Sequence, residues 1–282
     1  MDFASIGSSS NGIISMDPDV NTFLYDGASH GLRVMPAPHA PKHASVSLTV
    51  GEDLYILERN PGTEEEDHSF EALIHRGPSD EIYRKVGDYE EYRRRCYERN
   101  GKDPYVISAY TVVSDSQIWI STKGGGTFSF DTTSGVWSEA GDWALPFYGR
   151  IEYAPELALW FGFTSEGRQL ATCDLGAASP TSSPVLQEVW DELAPPLPPR
   201  WVPVMSFLLT LGAGKFCVGR MVDMAVAQEG WCRGKSGNDY LDVETFAVLT
   251  GVEVVRGSRG ALRMIRHKSR RYSVGCSMAR LR

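Results

Sequence analysis

Hydrophobic residues occur along this chain in short runs that are rich in aromatic and β-branched side chains. Most runs are bounded by Gly, Asp, Pro or Ser, which favour turns. Because amphipathic helices do not intervene between most of the runs, the pattern predicts an all-β fold. The predicted strands are residues 22–25, 45–50, 54–57, 105–113, 117–121, 127–130, 150–153, 158–163, 170–173, 205–211, 215–219, 246–249 and 272–274.

The predicted strands recur in units. In two units an aromatic strand ends in Asp26 or Asp131, and a bulky residue, Leu32 or Trp137, follows six positions later. The equivalent positions of five units are Phe23, Phe70, Phe128, Ala171 and Phe246, which lie 47, 58, 43 and 75 residues apart. A period of about 40–50 residues with four strands per unit is typical of a β-propeller, whose blades need neighbours to bury both faces. We therefore predict one propeller domain over residues 1–282.

Residues 123–131, with the sequence KGGGTFSFD, are the most specific motif of the chain. Together with Trp137 and Arg150 they resemble a kelch repeat. The chain as a whole resembles a large grass family that is known only as a domain of unknown function, number 1668. The stretches that support this resemblance are 23–26, 41–42, 70–74, 118–131, 143–163, 190–195 and 267–272. The resemblance implies a plant protein with a kelch-like propeller and no known activity. Because members of the family usually begin further upstream, we expect a short or incomplete propeller.

Residues 79–101 form a highly charged insert. Ser79 is a suitable helix N-cap, and acidic residues 80–81 fall in the first turn, where the helix dipole favours anions. Four apolar residues follow helical spacing, and arginines precede a terminating Asn100-Gly101. The pattern predicts a helix that is either solvated or in contact with a partner.

Composition excludes several classes of protein. Of 282 residues, 42% are hydrophobic and 23% are charged, as in globular proteins. No apolar run reaches the roughly 20 residues that span a bilayer, so no membrane contact is predicted. The N-terminus lacks the pattern of a secretory signal. The five cysteines are widely and irregularly spaced, unlike a disulfide framework or a zinc knuckle, so a cytoplasmic or nuclear location is expected.

Charge is unevenly distributed along the chain. The net charge is −8, from 28 basic and 36 acidic residues. Residues 256–282 contain nine basic residues and no acidic one, which leaves 19 basic and 36 acidic residues, or −17, in the remainder. This basic segment either packs on the acidic remainder of the chain or binds a nucleic acid, a phospholipid or an import factor. The candidate basic patch consists of Arg263, Arg266, Lys268, Arg270 and Arg271.

Chemical motifs in the chain favour turns over catalysis. Residues 27–31 match G-x-S-x-G, but a proline-rich stretch follows in place of the helix of a nucleophile elbow. Residues 124–126 are three glycines that lead into a strand, unlike a phosphate-binding loop. His39 and His43 are flanked by prolines, which exclude a helical metal-binding pair, and no third ligand lies nearby in sequence. We therefore predict no catalytic residue, cofactor or metal ligand.

These observations predict a non-enzymatic scaffold that binds a protein partner. The loop face of a propeller is its usual binding surface, so the candidate contact residues are Lys123, Trp143 and Arg150. One alternative is a small ligand or substrate in the central channel, since such channels are concave. The other alternative is nucleic-acid association through the basic segment, although the acidic net charge disfavours it.

Overall fold

Almost all regular structure in this protein is β-strand. The computed structural model describes residues 2–6, 12–17, 19–42, 44–60, 68–75, 81–86, 106–122, 124–193, 201–226, 240–257 and 260–280. Within these ranges the helices are two short 3-10 turns, Leu175–Ala177 and Asp191–Leu193. None of the described residues forms a helix long and apolar enough to cross a bilayer. The all-β prediction is confirmed.

The chain divides into two compact units, and the first comprises Met1–Gly149 and Leu175–Pro184. It contains three antiparallel four-strand meanders, in which strands adjacent in sequence pair with each other. The first two are four-stranded sheets, and the third is part of an eight-stranded sheet. The strands are β1 (Asp2–Ile6), β2 (Gly12–Met16), β3 (Thr22–Asp26) and β4 (Gly31–Met35); β5 (Val46–Val50), β6 (Asp53–Leu57), β7 (Phe70–His75) and β8 (Glu81–Lys85); and β9 (Ile107–Val113), β10 (Gln117–Thr122), β11 (Gly126–Asp131) and β12 (Val136–Gly141).

The second unit comprises Arg150–Asp174 and Val185–Arg282. Its strands follow the same meander order. They are β13 (Phe147–Ala154), β14 (Leu159–Thr164), β15 (Leu170–Cys173) and β16 (Leu186–Trp190), then β17 (Trp201–Gly212), β18 (Lys215–Val226), β19 (Tyr240–Arg256) and β20 (Leu262–Arg280). We call β17–β20 the last sheet.

The repeat predicted from sequence corresponds to these sheets. All five equivalent positions lie in the third strand of a four-stranded meander, namely β3, β7, β11, β15 and β19. The four-strand unit is therefore confirmed for the described residues. The long intervals arise from the chain between β8 and β9 and from the last sheet, whose strands are 12 to 19 residues long. The kelch-like ring and the single domain over residues 1–282 stay predictions.

The aspartate at the end of the third strand builds the turn that follows. Asp131 Oδ1 accepts hydrogen bonds from the N–H groups of residues 133 and 134, both at 2.8 Å. Gly135 closes the turn with φ of +71°, a conformation that glycine adopts without steric cost. This geometry returns the chain so that Trp137 pairs with the residue before Asp131, which explains the six-residue spacing.

The helix predicted over residues 79–101 is wrong where the structure describes that segment. Glu81–Lys85 is strand β8, paired antiparallel with β7. The Val86 N–H continues this pairing by donating to the Phe70 carbonyl at 3.2 Å, and the Val86 side chain packs on the core. A short segment gains little from helical propensity, so pairing with a neighbouring strand prevails. Residues 87–105 lie outside the described residues.

Aromatic side chains join the sheets within each unit. In the first unit Phe130 lies 4.9 Å from Phe70 and 5.0 Å from Trp137, between ring centroids, so β5–β8 and β9–β12 share a core. In the second unit Phe161 of β14 lies 4.6 Å from Phe216 of β18, and a shared core again joins the two sheets. Such contacts bury large apolar areas with specific ring geometry.

Candidate functional site

The predicted basic patch lies on β20, at one edge of the last sheet. The five predicted residues, Arg263, Arg266, Lys268, Arg270 and Arg271, are all exposed there. The face of the last sheet that carries Phe216, Val218 and Val252 packs on the core, and we call it the inner face. The opposite face is called the outer face.

Strand pairing divides the basic patch between the two faces. Arg266 and Arg271 pair with inner-face residues of β19, whereas Arg263 and Arg270 pair with outer-face residues. A β-bulge between Thr250 and Val252 shifts the register, and Lys268 lies in it. The bulge changes which face successive residues occupy, so sequence spacing alone does not reveal this division.

Arg271 is held on the inner face by aromatic rings. Its guanidinium lies 4.8 Å from the Phe246 ring centroid and 5.7 Å from that of Trp201. The two rings stack on each other at 5.6 Å with an interplanar angle of 9°. A cation over an aromatic face is attracted by the ring quadrupole, so Arg271 has a defined position on the sheet.

A further basic residue, Arg220 of β18, lies on the inner face and is absent from the predicted patch. It is half-buried, and its Nε is buried without a hydrogen-bond partner among the described residues. Burial lowers the pKa of Arg220, and the nearby positive charge of Arg266 lowers it further. The sequence does give an indication of this residue. Arg220 occupies an inward position of the apolar strand that contains Phe216, Val218 and Val222.

The opposite edge of the last sheet has a different chemistry. Strand β17 exposes five large apolar side chains, which are Val202, Val204, Met205, Leu209 and Leu211. The two edge strands of one sheet therefore present an apolar surface and a basic surface, respectively. The basic edge offers positive charge to a partner. It is therefore the better defined candidate site.

The loop residues predicted as partner contacts are engaged within the protein. The indole N–H of Trp143 donates to the Ser179 carbonyl at 2.9 Å, and the ring lies against Gly141, where a Cβ atom would come within 2.2 Å of it. Arg150 Nε lies 2.6 Å from Glu152 Oε1, and burial raises the pKa of Glu152 although Arg150 opposes this. Lys123 lies outside the described residues. The contact role of these three residues stays a prediction.

Four polar side chains that are distant in sequence meet beside β7. Glu71 is fully buried, and its Oε2 accepts a hydrogen bond from the buried Lys42 Nζ at 2.5 Å. Its Oε1 bonds with the His39 ring and accepts from the His39 N–H at 3.1 Å. Burial alone would raise the pKa of Glu71, but the hydrogen bonds from Lys42 and His39 outweigh it, so the pKa is lowered. These three residues and His68, which stacks on His39, are called the Glu71 cluster.

The Glu71 cluster contains potential metal ligands. His39, His68 and Glu71 each offer a ligand atom, and these atoms lie within 4.8 Å of one another. Two histidines and a carboxylate occur in zinc and non-haem iron sites. However, the two imidazole rings stack with an interplanar angle of 12°, so their nitrogens do not point to a common ion, and Lys42 already neutralises Glu71. The arrangement favours a structural ion-pair network.

The sequence suggested only His43 as a possible metal-binding partner of His39, so this cluster was not predicted. The informative feature was Glu71 itself, a carboxylate inside the apolar strand Phe-Glu-Ala-Leu-Ile. A charged residue at such a position requires a buried partner. Its partners come from the loop before β5, which only the fold brings close.

The G-x-S-x-G match is a hairpin turn between β3 and β4, as predicted. Ser29 Oγ donates to Asp26 Oδ2 at 2.6 Å, whereas His30 Nδ1 bonds with the Tyr25 hydroxyl at 2.7 Å. Ser29 and His30 thus have separate partners, and both are exposed. The arrangement builds a turn and does not pair a nucleophile with a base.

The model of a family described as "Protein of unknown function (DUF1668)" matches residues 1–272. The chain belongs to this family. The family resemblance is thereby confirmed, while the grass origin and the kelch-like form stay predictions. No curated protein matches the sequence of this DUF1668 chain.

Solved structures with a similar backbone are distant in sequence. An auxiliary nutrient binding protein from Bacteroides ovatus has a TM-score of 0.45 at 8% identity over 91% of this chain and 54% of its own. The Myceliophteria thermophila Cps50 (Swd1) β-propeller domain has a TM-score of 0.45 at 10% identity over 94% and 73%. The DUF1668 chain thus spans about half the length of the first of these proteins. Because both scores are below 0.5, we base no argument about function on them.

Proposed function

We propose that this protein is a non-enzymatic interaction scaffold that binds an acidic, extended segment of a partner protein along β20. The observation that supports this proposal is the basic, exposed edge strand of the last sheet. Arg263, Lys268 and Arg270 are exposed and form no ion pair with any described residue. Their charge is therefore available to a partner.

The backbone of β20 supplies a second element of recognition. One edge of β20 pairs with β19, and its other edge pairs with no strand among the described residues. Such an edge presents N–H and C=O groups that a peptide can extend as an added strand. Like charges repel a basic strand, whereas an acidic strand gains attraction along the edge. Tyr272 on the outer face and Val274 in a second bulge of β20 are 47% and 57% exposed and offer apolar contacts.

The alternative of nucleic-acid binding at the same segment is less favoured. The residues outside 256–282 carry a net charge of −17, which repels a long polyanion such as DNA more strongly than a short acidic peptide. The alternative of a ligand or substrate in a propeller channel stays a prediction. A cytoplasmic or nuclear site of action is part of the proposal and is supported by the irregular spacing of the five cysteines.

Binding of labelled peptides to the full chain tests the proposal. The probe is a fluorescein peptide in which Glu alternates with Val, and the control probe has Lys in place of Glu. We expect the acidic peptide alone to raise the fluorescence anisotropy. The double variant Arg263→Glu/Arg270→Glu should weaken its binding by about tenfold or more, which corresponds to about 1.4 kcal/mol.

The matched control is Arg33→Glu/Arg84→Glu, which makes the same change of charge at exposed residues of β4 and β8. It should leave the affinity within about twofold. Equal losses in both double variants would contradict the proposal, because the effect would then be one of net charge. Tighter binding of duplex DNA or single-stranded RNA than of the acidic peptide, lost in the β20 variant, would overturn it in favour of nucleic-acid binding.

A further inference from the structure

Arg220 is a half-buried cation whose counter-charge is missing from the described residues. Its Nε is buried and has no hydrogen-bond partner there. The described group that most affects its charge is Arg266, another cation. A buried guanidinium N–H without an acceptor is costly, so the retention of Arg220 in an apolar strand suggests that a ligand supplies the acceptor.

Strand register surrounds Arg220 with donor groups on the inner face. Three adjacent rows of paired residues cross the last sheet: Ser206, Arg220, Val248 and Arg271; Leu208, Val218, Thr250 and Ser269; and Thr210, Phe216, Val252 and Arg266. Thr250 and Ser269 thus lie between the row of Arg220 and the row of Arg266.

Hydrogen bonds connect Arg266, Ser269 and Thr250 on this face. The hydroxyls of Thr250 and Ser269 are 2.8 Å apart, and Arg266 Nη2 donates to Ser269 Oγ at 3.4 Å. Thr250 is only 7% exposed, whereas Ser269 at the edge strand is exposed to water. The Glu244 carboxylate on this face accepts from Ser273 Oγ at 3.3 Å and lies two rows from Arg220.

We propose that Arg220, Arg266, Thr250 and Ser269 form a binding site for a phosphate group. Guanidinium groups match the oxygens of phosphate with parallel, charge-assisted hydrogen bonds, and the hydroxyls donate to the remaining oxygens. The two positive charges balance a phosphate monoester dianion. A carboxylate, with one charge and two oxygens, satisfies fewer of these donors.

This site is distinct from the peptide surface of the proposed function. It uses the inner face of β18–β20, whereas the peptide surface uses the outer face and edge at Arg263, Lys268 and Arg270. A variant of one set leaves the other set in place. The two proposals therefore fail independently.

Thermal unfolding of the full chain in inorganic phosphate tests the site. Phosphate should raise the Tm relative to sodium chloride of equal ionic strength, because a ligand that binds the folded state stabilises it. Arg220→Met should weaken phosphate binding at least tenfold, and Arg266→Met should do likewise. Lys215→Met removes one positive charge from the outer face of the same sheet and should bind phosphate like the unmodified chain.

Stability without phosphate provides a second readout. Because Arg220 Nε lacks an acceptor, Arg220→Met should keep or raise the Tm in phosphate-free buffer. When phosphate saturates the unmodified chain, the unmodified chain should have the higher Tm. A lower Tm for Arg220→Met in phosphate-free buffer would show that Arg220 has a structural partner and would overturn the proposal. An unchanged phosphate response in Arg220→Met would overturn it as well.

A phosphoserine peptide and free phosphate distinguish the source of the group. Tighter binding of the phosphoserine peptide than of its unphosphorylated form and of free phosphate supports a phosphorylated protein segment as the ligand. Equal affinity for free phosphate and the phosphopeptide supports a small phosphorylated molecule. Failure of both probes to bind in an Arg220-dependent manner rejects the site.

Discussion

At the level of single residues, this molecule is distinguished by charged side chains at inward positions of apolar strands. Glu71 and Arg220 both occupy such positions, but their surroundings differ. Glu71 has its counter-charge within the protein, from Lys42, and a hydrogen bond from the His39 N–H, whereas Arg220 Nε has no partner among the described residues. The first arrangement stabilises the fold, and the second is suited to an external ligand.

The buried pair makes a prediction for stability. Glu71→Gln should lower the free energy of unfolding by about 3–5 kcal/mol, because it leaves the Lys42 ammonium buried without a counter-charge. Glu52→Gln, at the exposed turn between β5 and β6 of the same sheet, should change it by less than about 0.5 kcal/mol. Urea unfolding followed by circular dichroism measures both. Equal stability of the two variants would contradict the role assigned to Glu71.

The lowered pKa of Glu71 also predicts a dependence of stability on pH. The folded-state pKa lies below the ordinary value of 4.5, so the ion pair contributes fully above that pH. The contribution should be lost as the pH falls from about 4.5 through the folded-state pKa. Unfolding free energies of the unmodified chain and Glu71→Gln should therefore converge as acid is added. A constant difference between them down to about pH 3 would contradict this assignment.

At the level of elements, close contact between neighbouring strands determines which substitutions the last sheet tolerates. Phe207 of β17 lies over Gly219 of β18, where an added Cβ atom would come within 1.9 Å of the aromatic ring. Gly219 therefore allows the ring to rest on the strand. Gly275 of β20, in contrast, has open space around the position of a Cβ atom.

This contrast gives a matched pair of glycine variants. Gly219→Ala should destabilise the chain by about 1–3 kcal/mol, because the Phe207 ring has to move to accommodate the methyl group. Gly275→Ala should be neutral or stabilising by up to about 1 kcal/mol, since alanine loses less backbone entropy than glycine on folding. Thermal and urea unfolding compare them. A larger loss in Gly275→Ala than in Gly219→Ala would contradict the packing described for β17 and β18.

The distribution of charge and of compact units sets the behaviour of the whole molecule. A net charge of −17 outside residues 256–282 coexists with a basic strand at the edge of the second unit. Long polyanions are repelled by most of the chain, whereas a short acidic segment or a single phosphate group meets only the local positive field. Both proposals for ligands concern the second unit alone.

Hydrogen exchange tests this localisation across the whole chain. Saturating phosphate should slow amide exchange in β18, β19 and β20 at least tenfold, because binding stabilises the cooperative unit that forms the site. Amides of β5–β8 in the first unit should exchange at their original rates. Equal protection of β5–β8 and β18–β20 would contradict localisation to the second unit. Lys215→Met, which keeps the proposed site, serves as the positive control.

Much of the strand pattern was accessible from the sequence, because local chemistry specifies it. Alternating turn residues and β-branched runs predicted many of the strands, and the five positions from Phe23 to Phe246 were predicted to be equivalent. The structure places these positions in the third strand of each meander. The spacing from Asp131 to Trp137 follows from a turn that Asp131 builds with its own neighbours in the chain. The basic segment was likewise visible as nine basic residues without an acidic one.

Tertiary structure decided the features that depend on distant residues. The helix predicted near Glu81–Lys85 gave way to a strand because β7 offers hydrogen bonds that no local pattern records. Glu71 meets Lys42 and His39 only through the return of the loop before β5 to β7. The bulge at Gly251 decides which arginines of β20 share a face with Arg220. Periodicity specifies which residues form a strand, but a side chain's neighbours across strands depend on register, which the whole fold determines.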